Sequence, residues 1–144
     1  MDIKKHITAL GFVPKNGTNG IYHKIYVDYA IEIDFETQSI NYGSAITAES
    51  KTTQNFSQPE NFVVLECVDR LLTKGYKPQN IVLEKTWPSG HGTSGRLDIC
   101  VNREDGTPYM LIECKTFGKE YNKELARIRK DGGQLFTYFQ LSGS

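Results

Sequence analysis

The hydrophobic positions in the first third of the chain predict a short helix followed by antiparallel strands. Ile3, Ile7 and Leu10 lie at helical spacing, and Gly11 follows them as a stop signal. Residues 12–46 read as strands, with the clearest alternation of apolar and polar positions over 21–35. Residues 47–58 are polar and rich in Ser, Thr and Gln, which predicts a surface loop.

The clearest helix of the sequence covers residues 59–74 and ends at Gly75. Its apolar positions share one face at about 100° per residue. They are Val64, Leu65, Val68, Leu71 and Leu72. Apolar runs at 81–85, 97–101 and 109–115 then predict three strands, the last two joined by a turn at 103–106. A polar helix is expected over 119–130 and a further helical segment over 134–140.

Two of these strands carry acids at positions that a buried strand would keep apolar. Alternation puts Glu113 and Lys115 on one face of their strand. In the preceding strand, Asp98 shares a face with Cys100, and the opposite face takes Leu97, Ile99 and Val101. A hairpin centred near residues 105–106 places Asp98 directly opposite Glu113.

Opposed carboxylates repel each other unless a positive charge lies between them. A divalent cation supplies that charge, and Mg²⁺ prefers a few carboxylate oxygens together with water. Lys115 points to the same place and can polarise or deprotonate a bound water. The alternative is an exposed edge hairpin with weak surface ion pairs. The continuous apolar run at 109–112 favours a buried strand, where ionisable residues indicate a site.

Composition and charge narrow the class of protein. A chain of 144 residues predicts one domain, and no apolar run approaches the ~20 residues of a membrane span. The three cysteines have no metal-ligand spacing and lie in apolar segments, which predicts buried reduced thiols in a cytoplasmic protein. A net charge of zero argues against coating nucleic acid by bulk electrostatics, but leaves room for a local basic groove.

Three blocks of the chain resemble the PD-(D/E)xK nucleases. The blocks are Gly95-Arg-Leu-Asp98, Ile112-Glu-Cys-Lys115 and Gln134-Leu-Phe-Thr-Tyr138. More narrowly, they resemble the N-terminal nuclease domain of type I restriction enzyme restriction subunits and related fused restriction–modification proteins, whose QxxxY element the last block matches. The start of the 59–74 helix also matches, while Leu97 replaces the Pro of the motif's name. The resemblance covers residues 59–138.

The resemblance implies a fold and a domain plan. We expect an α+β or α/β restriction-endonuclease-like core, with a central mixed sheet flanked by helices. Residues 1–144 would form a single nuclease domain, with a strand-rich N-terminal extension at 1–58 and the nuclease core at 59–141. The chain would be part of a longer protein.

The resemblance also implies roles for individual residues. Asp98, Glu113 and the backbone carbonyl of Ile112 would hold Mg²⁺, with Mn²⁺ able to substitute, and Lys115 would position or activate the attacking water. Gln134 would orient Lys115 or a DNA phosphate, supported by Tyr138 at i+4 on the same helical face.

The core helix is expected to add one carboxylate to this set. Glu60 lies within about 40° of Val64, at the border of the apolar face, whereas Glu66 lies on the opposite side, toward water. We favour Glu60 as a metal ligand and catalytic residue. Its carboxylate would also be favoured by the helix dipole alone.

Basic residues of the 119–130 helix form a stripe that admits two interpretations. Lys119, Lys123, Arg127 and Lys130 could track DNA phosphates, and Tyr138 is a further candidate DNA contact. The same stripe, interspersed with Glu120 and Glu124, is also typical of a solvated helix surface.

The predicted function is an Mg²⁺-dependent DNA endonuclease domain of a type I-like restriction–modification system. Its expected partners are double-stranded DNA, a translocase motor or methyltransferase region C-terminal to this chain, and specificity and modification subunits, with no membrane. The alternatives are a non-catalytic nucleic-acid-binding or assembly module that keeps the fold, and a different nuclease of this fold, such as a junction resolvase or an RNA-cleaving enzyme.

Overall fold

The computed structural model describes residues 2–88, 94–115 and 134–139, with 87–88, 94–96 and 134–139 described as backbone alone. The helices of the described residues are α1 (Ile3–Ala9) and α2 (Glu60–Thr73), with a 3-10 turn at Pro78–Asn80. The strands are β1 (Val13–Pro14), β2 (Ile21–Tyr26), β3 (Tyr29–Asp34), β4 (Ser39–Asn41), β5 (Thr47–Ala48), β6 (Ile81–Pro88), β7 (Ser94–Asn102), β8 (Pro108–Lys115) and β9 (Gln134–Phe139). The predicted α+β class is confirmed.

The N-terminal third folds as the sequence pattern predicts. Strands β1 to β4 form an antiparallel sheet in chain order, and α1 precedes it. The alternation along β3 places Ile31 and Ile33 in the core, both fully buried. The prediction of a surface loop over residues 47–58 is partly wrong. The segment contains β5, which pairs in parallel with β6, and the buried Thr53.

Helix α2 is the centre of the molecule. It ends close to the predicted boundary: Gly75 has a positive φ of 101°, and Tyr76 N–H donates to the Leu71 carbonyl, as in a helix C-terminal cap. Every residue from 61 to 69 is buried. The helix is therefore covered all round, by the N-terminal sheet as well as by the second sheet.

The second sheet has the strand order β5-β6-β7-β8-β9, with antiparallel pairs at its centre and a parallel pair at each edge. Strand β9 corrects a prediction, because residues 134–140 were expected to be helical. The segment instead pairs in parallel with β8, from Met110 opposite Gln134 to Lys115 opposite Phe139. Its aromatic and β-branched residues suit a strand.

Two buried acids of α2 are compensated mainly from the N-terminal third. The Asp69 carboxylate accepts hydrogen bonds from Lys24 Nζ at 2.6 Å and from the Tyr26 hydroxyl at 2.7 Å. Glu66 is fully buried, with His6 Nε2 at 3.7 Å and Arg70 Nε at 4.0 Å. The expectation that Glu66 points toward water is wrong, since α1 covers that side of the helix.

Two further expectations concern cysteines and membranes. Cys67, Cys100 and Cys114 are buried free thiols, as predicted. Among the described residues, neither helix combines the length and apolar character that crossing a membrane requires.

Two buried tyrosines allow a matched test of this core. Tyr26→Phe should lower the free energy of unfolding by about 1–3 kcal/mol, because it removes a hydrogen bond to the Asp69 carboxylate. The Tyr42 hydroxyl is buried with no hydrogen-bond partner among the described residues, so Tyr42→Phe should be neutral or stabilising. Urea unfolding at neutral pH measures both, and equal losses would contradict the prediction.

The same unfolding experiment at alkaline pH tests the raised pKa values of the two tyrosines. Burial, reinforced by Asp69, raises the pKa of Tyr26 well above its usual range, and burial does the same for Tyr42. A raised pKa in the folded state gives stability that is present below the unfolded value of about 10 and is lost as the pH rises above it. Each Phe variant should therefore lose less stability above pH ~10 than the unsubstituted chain does.

Candidate functional site

The register of the β7–β8 hairpin is the one that the sequence predicts. Ile99 pairs with Ile112, Cys100 with Leu111, and Val101 with Met110, before a register shift next to the turn. Asp98 and Glu113 lie one step further along the same register, beyond the last pair of the ladder. The two acids are thus at neighbouring positions on adjacent strands.

The second sheet parts between β7 and β8 at these two residues. On one side, β7 continues paired to β6, from Leu97 opposite Lys85 to Ser94 opposite Pro88. On the other side, β8 continues paired to β9 through Lys115. No ladder pair joins 94–98 to 113–115, all of which lie in the described backbone. We call this place the strand fork; Asp98 and Glu113 lie at its base.

The Asp98 side chain spans the base of the fork. Its Oδ2 accepts a hydrogen bond from the Cys114 backbone N–H at 2.8 Å. The carboxylate therefore takes an amide that a continued ladder would otherwise use, and it is held against the segment that carries Glu113 and Lys115. This hydrogen bond fixes the position of the Asp98 carboxylate before any other ligand binds to it.

Strand β7 is irregular at Asp98. The predicted face is confirmed for Ile99 and Val101, which belong to the main core, but not for Leu97. Leu97 is buried in a second, smaller cluster with Val82, Cys100 and Leu111. Strict alternation would keep Leu97 with Ile99, so the strand changes its course between them.

Glu113 and Lys115 follow the alternation of β8. Ile112, which precedes Glu113, and Cys114, which lies between Glu113 and Lys115, are buried in the main core. Glu113 is only 5% exposed, and Lys115 is half-buried. A carboxylate buried to this degree is costly unless a positive charge or a hydrogen-bond donor compensates it. The predicted sharing of one face by Glu113 and Lys115 is consistent with this burial pattern.

Of the two candidate carboxylates on α2, Glu60 is the one whose charge acts on Cys114 of β8. The pKa of the Cys114 thiol is raised well above its usual range, chiefly by burial, then by the Cys67 thiol, and further by the negative charges of Asp98 and Glu60. Both acids therefore act on one thiol in the Glu113–Lys115 segment. Glu66, the other candidate, lies with His6 and Arg70 instead. The placement favours Glu60, whose role as a ligand stays a prediction.

The remaining predicted residues lie in or beyond β9. Gln134 and Tyr138 are on a strand rather than on a helix, at the register positions of Met110 and Cys114. Their roles stay predictions, because only the backbone is described there. Lys119, Lys123, Arg127 and Lys130 lie outside the described residues.

The donor atoms at the fork suit a hard cation. Asp98 and Glu113 offer carboxylate oxygens, and Mg²⁺ is commonly bound by one or two carboxylates together with water and substrate phosphate. In the described part of the chain, no three His, Cys, Asp or Glu side chains form a ready metal-binding group. Asp98 and Glu113 therefore fit a two-carboxylate magnesium site that substrate and water would complete, and among the described residues the structure does not gather Glu60 with them into a three-carboxylate group.

Sequence reasoning missed one acid at this level of the sheet. Glu84 of β6 lies opposite Asp98 in the β6–β7 register, and its side chain is 1% exposed. The signal was present, because Glu84 ends the apolar run Ile81-Val-Leu just as Glu113 interrupts its own run.

Comparison with known proteins gives one family. The family described as "Type I restriction enzyme R protein N terminus" matches residues 59–138, more than half of the chain. No curated protein matches the chain. The matched range contains α2, the fork and all of β9 except its last residue.

Two substitutions at Asp98 separate its charge from its hydrogen bond. Asp98→Asn keeps an oxygen that can accept from the Cys114 amide and removes a negative charge near Glu113, so stability should be unchanged or higher. Asp98→Ala leaves that amide without its acceptor and should cost about 1–3 kcal/mol. Urea unfolding without divalent cations measures both. An Asp98→Asn variant that fails to fold would make Asp98 a structural residue.

Proposed function

The chain belongs to the family of type I restriction enzyme R protein N termini, and we propose that it is the Mg²⁺-dependent DNA endonuclease domain of such a restriction system. The reaction is hydrolysis of a phosphodiester bond. Asp98, Glu113 and Lys115 carry it, with Glu60 as an additional carboxylate and the Ile112 carbonyl as a further oxygen ligand.

The strand fork is the observation that supports this proposal most. Two acids occupy adjacent positions where two central strands separate, and one of them already bridges to the other strand. A binding module has no use for a buried carboxylate such as Glu113 beside another acid, because the pair repels in the absence of a cation. A hydrolytic site has a use for it, since the same pair concentrates negative charge where a cation and a phosphate meet.

Each of the chain's own site residues would have a separate role. Asp98 and Glu113 would hold Mg²⁺, which, when bound, offsets the charge of the phosphate and of the leaving oxygen. The Cys114 amide keeps the Asp98 carboxylate oriented. Lys115, two residues beyond Glu113 on β8, would donate to the attacking water and orient it. Gln134 would keep Lys115 or a phosphate oxygen in place, with Tyr138 in support.

Delivery of DNA is assigned to other parts of the system. The net charge of zero gives the chain little general attraction for a polyanion. A translocase motor or methyltransferase region C-terminal to these residues, together with specificity and modification subunits, would bring double-stranded DNA to the fork. Lys119, Lys123 and Arg127 would then contact phosphates locally. We place the whole system in the cytoplasm.

A non-catalytic nucleic-acid-binding or assembly module is the second candidate. The observation in its favour is that the described residues contain no preformed group of three metal-binding side chains. A junction resolvase or an RNA-cleaving enzyme would use the same residues on a different substrate, so substrate preference separates those two from a duplex-DNA endonuclease.

Cleavage should depend on the carboxylates of the fork. With Mg²⁺ or Mn²⁺ at low salt and micromolar protein, Glu113→Gln and Asp98→Asn should reduce nicking of supercoiled plasmid by at least ~10²-fold, the scale of losing one group that supports transition-state charge stabilisation. Glu104→Gln is the matched control, because Glu104 pairs with Lys77 at the turn end of the hairpin. If Glu113→Gln cuts as well as Glu104→Gln, the endonuclease proposal is wrong.

Binding of DNA by this chain alone should be weak and dependent on salt. We expect a Kd no tighter than ~10⁻⁴–10⁻⁶ M for a duplex oligonucleotide, weakening steeply between about 50 and 200 mM salt. Fluorescence anisotropy with two unrelated sequences measures affinity and specificity together. Tight, sequence-specific binding at the higher salt concentration would mean that these residues read DNA directly.

A further inference from the structure

Glu84 lies at a break in the β6–β7 ladder. Leu83 pairs with Ile99 and Lys85 with Leu97, so the register is the same on both sides of the break. The position between these pairs is that of Glu84 and Asp98, and the ladder skips it. Asp98 is therefore released from its neighbour on β6 at the level where its carboxylate reaches across to β8.

The backbone of Glu84 is strained in a way that explains the break. Its φ is +53°, in the left-handed region, although it is not a glycine. Such a conformation is unfavourable in an L-residue and persists only where the surroundings hold it. At Glu84 the side chain provides the hold: its carboxylate accepts from the Thr52 hydroxyl and from the Thr53 backbone N–H, the latter at 3.3 Å.

The same loop is tied to the start of α2. Asn61 Nδ2 donates to the Thr52 carbonyl at 3.1 Å and to the Asn55 carbonyl at 2.9 Å. Asn61 is the neighbour of Glu60. Residues 52–55 thus connect β6, opposite Asp98, with the helix turn that carries Glu60. We call the set Glu84, Thr52, Thr53, Asn55 and Asn61 the brace.

We propose that the brace positions Asp98, together with the start of α2, for binding of a divalent cation at the fork, with Glu84 as its central positioning residue. The inference rests on the proposed function and deepens it. The Glu84 carboxylate faces Thr52 and Thr53, so it acts through the backbone at the ladder break and through the loop. Residues that orient metal ligands typically contribute about 10–100-fold to metal affinity.

The test is Mn²⁺ binding to the whole chain, measured by isothermal titration calorimetry in parallel with urea unfolding. Glu84→Gln removes the charge and one of the two acceptor oxygens, and should weaken Mn²⁺ binding about tenfold or more. Glu84→Gly should do the same, although glycine adopts a φ of +53° without strain. Asp69→Asn is the control, because it disturbs a buried carboxylate of α2 whose partners are Lys24 and Tyr26.

The expected pattern is that Asp69→Asn loses stability and keeps its Mn²⁺ affinity, while both Glu84 variants lose affinity beyond any loss of stability. If Mn²⁺ binding is abolished by Asp98→Asn but unchanged in both Glu84 variants, the brace is wrong and the proposed site stands. If the unsubstituted chain binds no Mn²⁺, or binds it equally after Asp98→Asn, both are wrong.

A milder substitution decides the matter if the Glu84 variants do not fold. Thr53→Val removes a hydroxyl that lies 3.4 Å from Glu84 Oε2 and keeps the shape of the side chain. Combined with Thr52→Val, it removes both hydroxyls from the brace. Mn²⁺ affinity lowered severalfold in this double variant supports the brace, and unchanged affinity overturns it.

Discussion

The burial of α2 on every side is the constraint on which the rest of the structure depends. Residues 61–69 include Glu66 and Asp69 as well as the apolar positions, and all of them are buried. Buried acids cost several kcal/mol unless cations and hydrogen-bond donors compensate them. His6, Lys24 and Tyr26, together with Arg70 of the helix itself, lie against these acids. The N-terminal region therefore stabilises the buried core helix. One hydrophobic cluster runs through α2 and both sheets.

This constraint also explains which sequence predictions were wrong. Periodicity identified α2 and its first apolar face, because that signal is local. It could not show that α1 and the N-terminal strands cover the other face, and so it placed Glu66 in water. At residues 134–139 the spacing itself was ambiguous, since residues i and i+4 share a face in a strand as they do in a helix. Pairing with the buried strand β8, which is a tertiary contact, decides between the two.

The site shows the same division between local and tertiary information. The register of the β7–β8 hairpin was predictable because a hairpin turn fixes the register of both of its strands. The strand fork was not predictable, since it depends on β7 staying paired with β6, and β8 with β9, beyond the point where the hairpin pairing ends. Neither was the displacement of Leu97, because it accompanies a left-handed residue that is not a glycine. A carboxylate inside an apolar run was nevertheless a usable signal, and it applied to Glu84 as well.

The family match and the network of contacts have different boundaries. The match begins at residue 59 and contains Glu60, Asp98, Glu113 and Lys115. The groups that compensate Asp69 and part of those around Glu66 lie before that residue, as do Thr52 and Thr53 beside Glu84. The chemistry that we propose for the fork uses only matched residues, whereas the contacts around α2 and Glu84 come in part from the earlier ones. Two proteins of this family could therefore share the acids of the site and differ in how firmly those acids are held, because the supporting contacts lie in a part of the chain that the family description does not include.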